Sequence, residues 1–219
     1  MPTVIPIFPL NTVVFPGQQV PLHIFEPRYR QLVADVRRDE GEFGIALIES
    51  GPEVGGGAVP RAVGCAVRIA ELQELPDGRF NVICRGTRRF RLLESLDEAP
   101  YLRGEVEFPP RPDDAGDEDT AERAGDVRDL FADHLGLALA IEGGWQRQMR
   151  TPADPVRLAD TIGATVAAPI GHKQAMLEAS RVATRLEIGQ RLLESANRSL
   201  REQLALRRRL KLGGLGAQN

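Results

Sequence analysis

Residues 4–30 read VIPIFPLNTVVFPGQQVPLHIFEPRYR and carry the strongest fold information in the chain. Short apolar runs rich in Val, Ile and Phe alternate here with Pro and Gly, a pattern typical of strands joined by turns. Two strands are predicted, Val4 to Phe8 and Val20 to Phe25, and the proline within the first favours a sheet edge or a bulge. Glu26-Pro27 then predicts a helix start, because proline has no N–H to satisfy at the first helical position.

The strand pattern continues to about residue 108 around one predicted helix. The predicted helix has one apolar face, whose residues recur three and four positions apart: Tyr29, Leu32, Val33 and Val36. It is expected to end near Asp39-Glu40-Gly41. Further strands are predicted at 43–48, 62–75, 79–93 and 101–108, with a hairpin turn at 76–78 and a bulge at Gly86. At least five strands and one inserted helix favour a twisted, partly closed β-barrel.

The second half of the chain is rich in Ala, Leu, Arg and Glu and predicts a helical bundle. Helices are predicted at about 120–140, 154–167, 171–178 and 180–211. The last is long, and Leu186, Leu193 and Leu200 form an apolar stripe along it that is expected to pack within the bundle. The predicted organisation is an α+β chain with a β-rich domain at 1–110, a solvated acidic linker at 111–119, a helical bundle at 120–212 and a flexible tail at 213–219.

Composition and charge exclude several classes of function. The net charge of the 219 residues is −3, so no overall basic character favours nucleic acid. No signal peptide or run of about 18 apolar residues is present, which predicts a cytoplasmic chain without a membrane span. Cys65 and Cys84 lie in apolar runs and are expected to be buried, reduced thiols. The three histidines lie far apart in sequence, so neither a metal site nor a catalytic base is predicted.

Several motifs resemble the amino-terminal domain of Lon proteases. The ordered strings at 5–17 and 21–30 are similar to the opening of that domain, and Phe43-Gly44-Ile45-Ala46 and Gly64-Cys65-Ala66 continue the similarity. Arg85-Gly86 followed by Arg89-Phe90-Arg91 resembles the family's Gly-x-x-Arg-Phe segment, and residues 174–178 and 185–187 resemble its closing helices. The resemblance implies a PUA-like pseudo-barrel followed by a helical bundle.

The resemblance also implies a function in recognising unfolded or specific protein partners. The chain contains no G-x-x-x-x-G-K-[ST] string and no recognisable Ser–Lys protease region, so a non-catalytic, cofactor-free binding module is expected, possessing neither ATPase nor protease activity. The leading hypothesis is a protein- or peptide-binding module that makes apolar contacts in a groove, and an adaptor role in protein quality control is one form that it could take. RNA binding and small-molecule binding, both compatible with PUA-like barrels, remain alternatives, and the sequence leaves the oligomeric state open.

Four residues are candidates for a partner-binding surface. Glu26, Arg28 and Tyr29 place a charge pair and an aromatic ring at a strand-to-helix junction. Their structural alternative is that Glu26 favours the helix N-terminus electrostatically while Arg28 ties the helix to the barrel. Trp145, the only tryptophan, is either a core residue or an exposed anchor for a partner. The Gly-rich loop at 51–61 is expected to be a mobile loop that could fold over a partner.

Overall fold

The computed structural model describes residues 2–96, 100–142 and 151–215. Seven strands and one helix come first in the chain: β1 (Thr3–Leu10), β2 (Gln19–Ile24), α1 (Pro27–Arg38), β3 (Phe43–Ser50), β4 (Val59–Pro60), β5 (Val63–Glu74), β6 (Phe80–Leu96) and β7 (Arg103–Glu107). A short 3-10 helix (Asp113–Gly116) and four α-helices follow: α2 (Glu118–Glu142), α3 (Pro155–Thr165), α4 (Ile170–Glu178) and α5 (Val182–Leu215). The predicted α+β class and the order of its elements are confirmed.

Five of the described strands close into a ring in the order β1-β7-β6-β5-β3, and β3 returns to β1. The closing pair is parallel, with Ile7 to Leu10 beside Gly44 to Leu47, whereas the other ring pairs are antiparallel. β6 is long enough to pair with two different strands, one after the other along its length. Its first half pairs with β2 and its second half with β7, so β2 stands beside the ring rather than within it.

Pro6 lies in a strand that has neighbours on both sides, which differs from the expected edge or bulge. Thr3 to Pro6 pair with β7, but pairing with β3 begins only at Ile7. Pro6 therefore has no partner on the β3 side, so its lack of an N–H costs no hydrogen bond between those two strands. The expected edge position is therefore wrong for β1 as a whole, but it is correct for the half of β1 that contains Pro6.

The barrel core has two apolar layers. Every ring strand contributes to the inner layer, which consists of Ile5, Ile7, Ala46, Ala66, Phe90 and Val106. The second layer lies under α1, whose buried face is Tyr29, Leu32, Val33 and Val36, as the spacing of these residues predicts. The register of β5 against β6 shifts beside Gly86, so the predicted bulge is also present.

Chain contacts divide the molecule into two units. The first comprises Met1–Pro112 and Ile170–Ala179, so it contains α4 as well as the barrel. The second comprises Asp113–Pro169 and Ser180–Asn219. The sequence assigns α4 to the helical bundle, since helical periodicity carries no information about which neighbour a helix packs on.

The second unit is built on α2, α3 and α5. Leu186 and Leu193 of the predicted stripe are fully buried, and Leu200 is half-buried. The stripe shares this buried face with Arg185, which is 1% exposed and donates from Nη2 to the Ser180 carbonyl oxygen at 3.2 Å. Helix α5 also runs through Gly213 and Gly214 to Leu215, whereas the sequence predicts that these glycines end it.

The acidic segment at 111–119 differs most from its prediction as a solvated linker. Asp113–Gly116 form a 3-10 helix in which Asp114 and Ala115 are buried, and α2 begins at Glu118. The Asp114 carboxylate accepts hydrogen bonds from the amides of Val182 and Ala183, each at 3.0 Å. These amides lie in the first turn of α5, so the aspartate caps a helix that is remote in sequence.

Candidate functional site

A groove of about 250 Å³ opens where β2 runs into α1. Six of the ten described lining residues come from the segment that runs from β2 into α1, whereas β1 supplies two and the Gly-rich loop after β3 supplies two. The lining residues are Phe8, Leu10, Leu22, His23, Ile24, Phe25, Glu26, Tyr29, Glu53 and Val54. The groove belongs entirely to the first unit.

The groove combines a buried aromatic pair with exposed apolar side chains. Tyr29 and Phe8 are 4% and 7% exposed, and their ring centroids lie 3.9 Å apart. Phe25 and Val54, by contrast, are 48% and 56% exposed. His23 stacks near Phe25, with 6.2 Å between the ring centroids. Exposed apolar side chains around a concave site are typical of surfaces that bind apolar groups.

Glu26, Arg28 and Tyr29 lie together at the start of α1, as the sequence suggests. Glu26 occupies the N-cap position of α1 without a side-chain capping hydrogen bond. Its Oε2 atom instead accepts from Arg28 Nε and from the Gly55 amide, both at 3.1 Å. The Arg28 guanidinium also lies 4.3 Å from the centroid of the Tyr29 ring. Arg28 thus joins the helix start to Glu26, and Glu26 holds the Gly-rich loop.

Burial raises the pKa of the Tyr29 hydroxyl above its usual value of 10.0. Arg28 opposes this shift, while the charges of Glu26 and Glu53 reinforce it. The phenol therefore stays protonated at neutral pH, and it can donate a hydrogen bond at the base of the groove.

Two sets of hydrogen bonds hold the Gly-rich loop near Val54, in addition to the pairing of β4, which lies within the predicted loop, with β3. The Asn11 backbone amide and side-chain Nδ2 donate to the two carboxylate oxygens of Glu53, at 3.2 and 2.8 Å. Gly55 has a φ of 91°, a conformation that favours glycine, and in it the residue turns its N–H toward Glu26. The two attachments bracket Val54 and fix it at the groove. The loop is therefore tethered at the groove in this structure, and its expected mobility stays a prediction.

A shallower extension of about 420 Å³ lies along β2, β6 and β5 and shares Leu22 and His23 with the groove. Its lining is Pro21, Leu22, His23, Glu71, Leu72, Gln73, Asn81, Val82 and Ile83. His23 Nδ1 and Asn81 Oδ1 are 2.8 Å apart, so a hydrogen bond orients the imidazole ring. We call the two parts together the β2 groove.

One edge of β2 is open within the described part of the chain, because β6 is the only described strand that pairs with it. The Gly86 amide donates to the Gln18 carbonyl oxygen at 2.8 Å, which sets the phase of the ladder. Hydrogen-bonded and non-hydrogen-bonded pairs alternate in antiparallel sheets, so the backbone groups of Gln19, Pro21 and His23 point away from β6. Pro21 has no N–H, and this blunts the open edge.

The other candidate residues lie elsewhere. His134 is buried in the second unit, where its Nδ1 lies 2.8 Å from Asn197 Oδ1, and His172 is exposed. Across the described ranges, no three His, Cys, Asp or Glu side chains are grouped to hold a metal. Cys65 and Cys84 are buried reduced thiols, and burial raises the pKa of Cys84 to about 12. Trp145 lies outside the described residues.

Sequence reasoning missed Phe25, Val54 and Glu53 as groove residues. A signal for two of them was available. Val54 is the single strongly apolar residue in the run GPEVGGG at 51–57, where no core needs it. Phe25 directly follows the buried Ile24 at the strand end, so the two neighbouring apolar side chains cannot both point inward. Glu53 carries no such signal, since its role depends on contact with Asn11.

Comparison with known proteins agrees with the arrangement of strands and helices described above. The sequence model of the ATP-dependent protease La (LON) substrate-binding domain matches residues 4–195 of the chain. The chain belongs to the Lon substrate-binding domain family. Helix α5 therefore begins inside the family domain and continues beyond the matched region.

Individual relatives support the family assignment. The Lon protease of Anaeromyxobacter dehalogenans is 30% identical over 94% of this chain, and that of Escherichia coli K12 is 29% identical over the same share. The chain spans 24% and 26% of these two proteins, about a quarter of each.

Solved structures extend the similarity to the fold. The Lon N-terminal domain protein from Xanthomonas campestris is 28% identical, with a TM-score of 0.61 over 84% of this chain and 95% of that one. The N-terminal domain of a Mycobacterium avium complex Lon protease has a TM-score of 0.70 over 88% of this chain and 98% of that one. At 20% identity, the latter shows the fold alone. Among the described helices, none is both long and apolar enough to cross a membrane.

Proposed function

We propose that this chain is a non-catalytic module that binds extended apolar segments of other proteins in the β2 groove. One observation carries the proposal: Phe25 and Val54, which both line one concave site, present large apolar surfaces to solvent. Apolar segments are mostly buried in folded proteins. Such a site would therefore favour partners that are unfolded or that expose a dedicated apolar segment. The family name supports the same class of partner, since it describes a substrate-binding domain.

The open edge of β2 supports an extended conformation for the bound segment. A segment lying alongside Gln19 to His23 would meet the His23 amide and the carbonyl oxygens of Gln19 and Pro21. Main-chain hydrogen bonds of this kind bind peptides with little regard to sequence, and an adjacent pocket then selects a side chain. An adaptor role in protein quality control would require such tolerance.

Two features of the groove support binding without chemistry. Among the described residues that line it, none is a Ser, Thr or Cys that could act as a nucleophile, and His23 is engaged by Asn81. The lining residues that the structure describes include carboxylates but neither Lys nor Arg, which disfavours RNA as an occupant because phosphate contacts dominate RNA affinity. The cytoplasmic location expected from the sequence stays a prediction.

Peptide binding by groove variants tests the proposal. Fluorescence anisotropy would measure the affinity of the full chain for labelled, unstructured peptides that contain an apolar core. Phe25→Ser and Val54→Ser should each weaken binding about tenfold, because anchoring apolar contacts contribute about 1–2 kcal/mol.

Matched controls are available on the same unit. Leu93→Ser removes an apolar residue that is 46% exposed on β6, and Val59→Ser removes one that is 50% exposed on β4. Neither residue lines the groove, so these variants should bind as the unaltered chain does. Equal losses in the groove and control variants would place binding on another surface, and no binding by any of the chains would refute a peptide-binding function.

A further inference from the structure

Acidic side chains occur in both parts of the β2 groove. Glu26 and Glu53 line the deeper part, and Glu71 lines the shallower extension along β5. No lysine or arginine is found among the described residues that line either part. The apolar lining residues would bind an apolar segment, and the carboxylates would affect which charges are favoured in the residues beside that segment.

The three carboxylates are not equally compensated. Glu26 pairs with Arg28, whose Nη2 lies 3.1 Å from Glu26 Oε2, and this pair is close to neutral. Glu53 accepts its two hydrogen bonds from Asn11, which is uncharged, so its full negative charge remains. Glu71 is exposed on β5. Within the described ranges, neither Glu53 nor Glu71 takes part in an ion pair with an arginine or lysine of the chain.

We propose that the groove selects apolar segments flanked by lysine or arginine and rejects those flanked by aspartate or glutamate. This inference rests on the proposed peptide-binding function and names its preferred partner. Two uncompensated carboxylates would attract a cationic flank and repel an anionic one, while the apolar centre of the segment contacts Phe25 and Val54. The groove would thereby bind basic unfolded segments in preference to acidic ones of equal hydrophobicity.

The expected preference is moderate and sensitive to salt. Exposed charge pairs contribute about 0.2–1 kcal/mol each, so the attraction of one flank and the repulsion of the other should together give about a tenfold difference in affinity. Screening acts over about 30 Å at 0.01 M salt but only about 3 Å at 1 M. The preference should therefore be clear at low salt and nearly absent at high salt.

Three peptides with one shared apolar core, flanked by Lys, Ser or Glu, would test the inference by anisotropy with the full chain. The expected order of affinity is Lys, then Ser, then Glu. Glu53→Gln and Glu71→Gln should each reduce the ratio of Lys-flanked to Glu-flanked affinity about twofold to threefold. Glu53→Gln should also weaken binding of the Ser-flanked peptide, because a glutamine side chain cannot accept both of the hydrogen bonds from Asn11 that hold the loop of Val54. Glu94→Gln removes the same charge from the other half of β6, away from the groove. This control should leave the order of the three affinities and the ratios between them unchanged.

The outcomes separate the two proposals. Equal affinity of the three peptides at low salt, or a preference unaffected by Glu53→Gln and Glu71→Gln, would overturn charge selection while leaving apolar binding in place. Tighter binding of the Glu-flanked peptide would likewise overturn it. Failure of all three peptides to bind would refute the peptide-binding function itself, and charge selection with it.

Discussion

At the scale of single residues, close backbone approach decides which glycines the fold requires. A Cβ added to Gly86 would lie 2.2 Å from the Phe15 carbonyl oxygen and 3.2 Å from Cys65 Sγ. The nearest of these atoms belongs to the backbone of the segment before β2, so it cannot move aside as a side chain could. Gly86 also pairs with this segment through hydrogen bonds to Gln18 and Gly17. The glycine therefore allows β6 to approach the chain that leads into the groove strand.

Substituting Gly86 should destabilise the barrel. We expect Gly86→Ala to lower the free energy of unfolding by about 1–3 kcal/mol or more, because an overpacked site must shift backbone atoms. Gly125→Ala is the matched control, since a Cβ at Gly125 in α2 would meet no atom within 4 Å. That change should instead stabilise the chain by about 0.5–1 kcal/mol through helix propensity. Thermal or urea unfolding followed by circular dichroism measures both, and a destabilisation of similar size in the two variants would contradict the close approach.

At the scale of elements, the starts of α3 and α5 in the second unit are capped in different ways. α3 is capped locally: Asp154 accepts from the Arg157 amide at 2.9 Å, and Pro155 occupies the first turn. α5 is capped by Asp114, which lies 68 residues away from Val182 in sequence. Only the first arrangement is visible as a sequence signature, because a local cap depends on residues three positions apart.

The Asp114 cap should make the stability of the chain depend on pH. Burial alone would raise the pKa of this carboxyl, but hydrogen bonds from the Ala183 and Val182 amides and the charge of Arg181 hold it below 3.8. A lowered folded-state pKa means that the cap contributes fully above the unfolded-state value and is lost as the pH falls through the folded-state value. We expect Asp114→Asn to cost about 1–2 kcal/mol at pH 7.

The difference in stability between Asp114→Asn and the unaltered chain should become smaller under acid conditions, where Asp114 itself becomes neutral. Melting temperatures of Asp114→Asn and the unaltered chain, compared from neutral pH to below 3.8, would measure the change. Asp113→Asn is the control, because Asp113 is exposed on the same 3-10 helix. A difference that stays constant down to the acid limit of folding would show that the charge of Asp114 does not contribute.

At the scale of the whole molecule, the barrel unit is discontinuous in sequence. Its contacts with α4 come from residues 170–179, after the chain has passed through the second unit. Gln174 Nε2 donates to the Val63 carbonyl oxygen at 3.0 Å, and Arg89 Nη1 donates to the Leu177 and Ala179 carbonyl oxygens at 2.8 and 3.0 Å. Arg89 thereby satisfies carbonyls at and just beyond the end of α4, where intrahelical amides are lacking.

A fragment that stops at residue 112 should therefore be less stable than the barrel in the full chain. Losing the three hydrogen bonds to α4 should cost about 3 kcal/mol or more, since bonds from a charged donor contribute about 1.5–3 kcal/mol each. Hydrogen exchange at the amides of β5 and β6 would measure the loss. Restoring residues 168–180 through a flexible Gly/Ser linker should recover most of the protection. Equal protection with and without α4 would contradict its place in the barrel unit.

The sequence by itself determined the class of fold, the order of the elements and the family, because these depend on periodicity, turn residues and helix starts that act over a few positions. It also determined that Glu26, Arg28 and Tyr29 lie together, since they are neighbours on one helix turn. Only the tertiary structure decided that the Gly-rich loop brings Val54 and Glu53 to that turn, that Asp114 caps α5, and that α4 belongs to the barrel. Each of these results from contact between residues distant in sequence, and such contacts leave no local pattern to read.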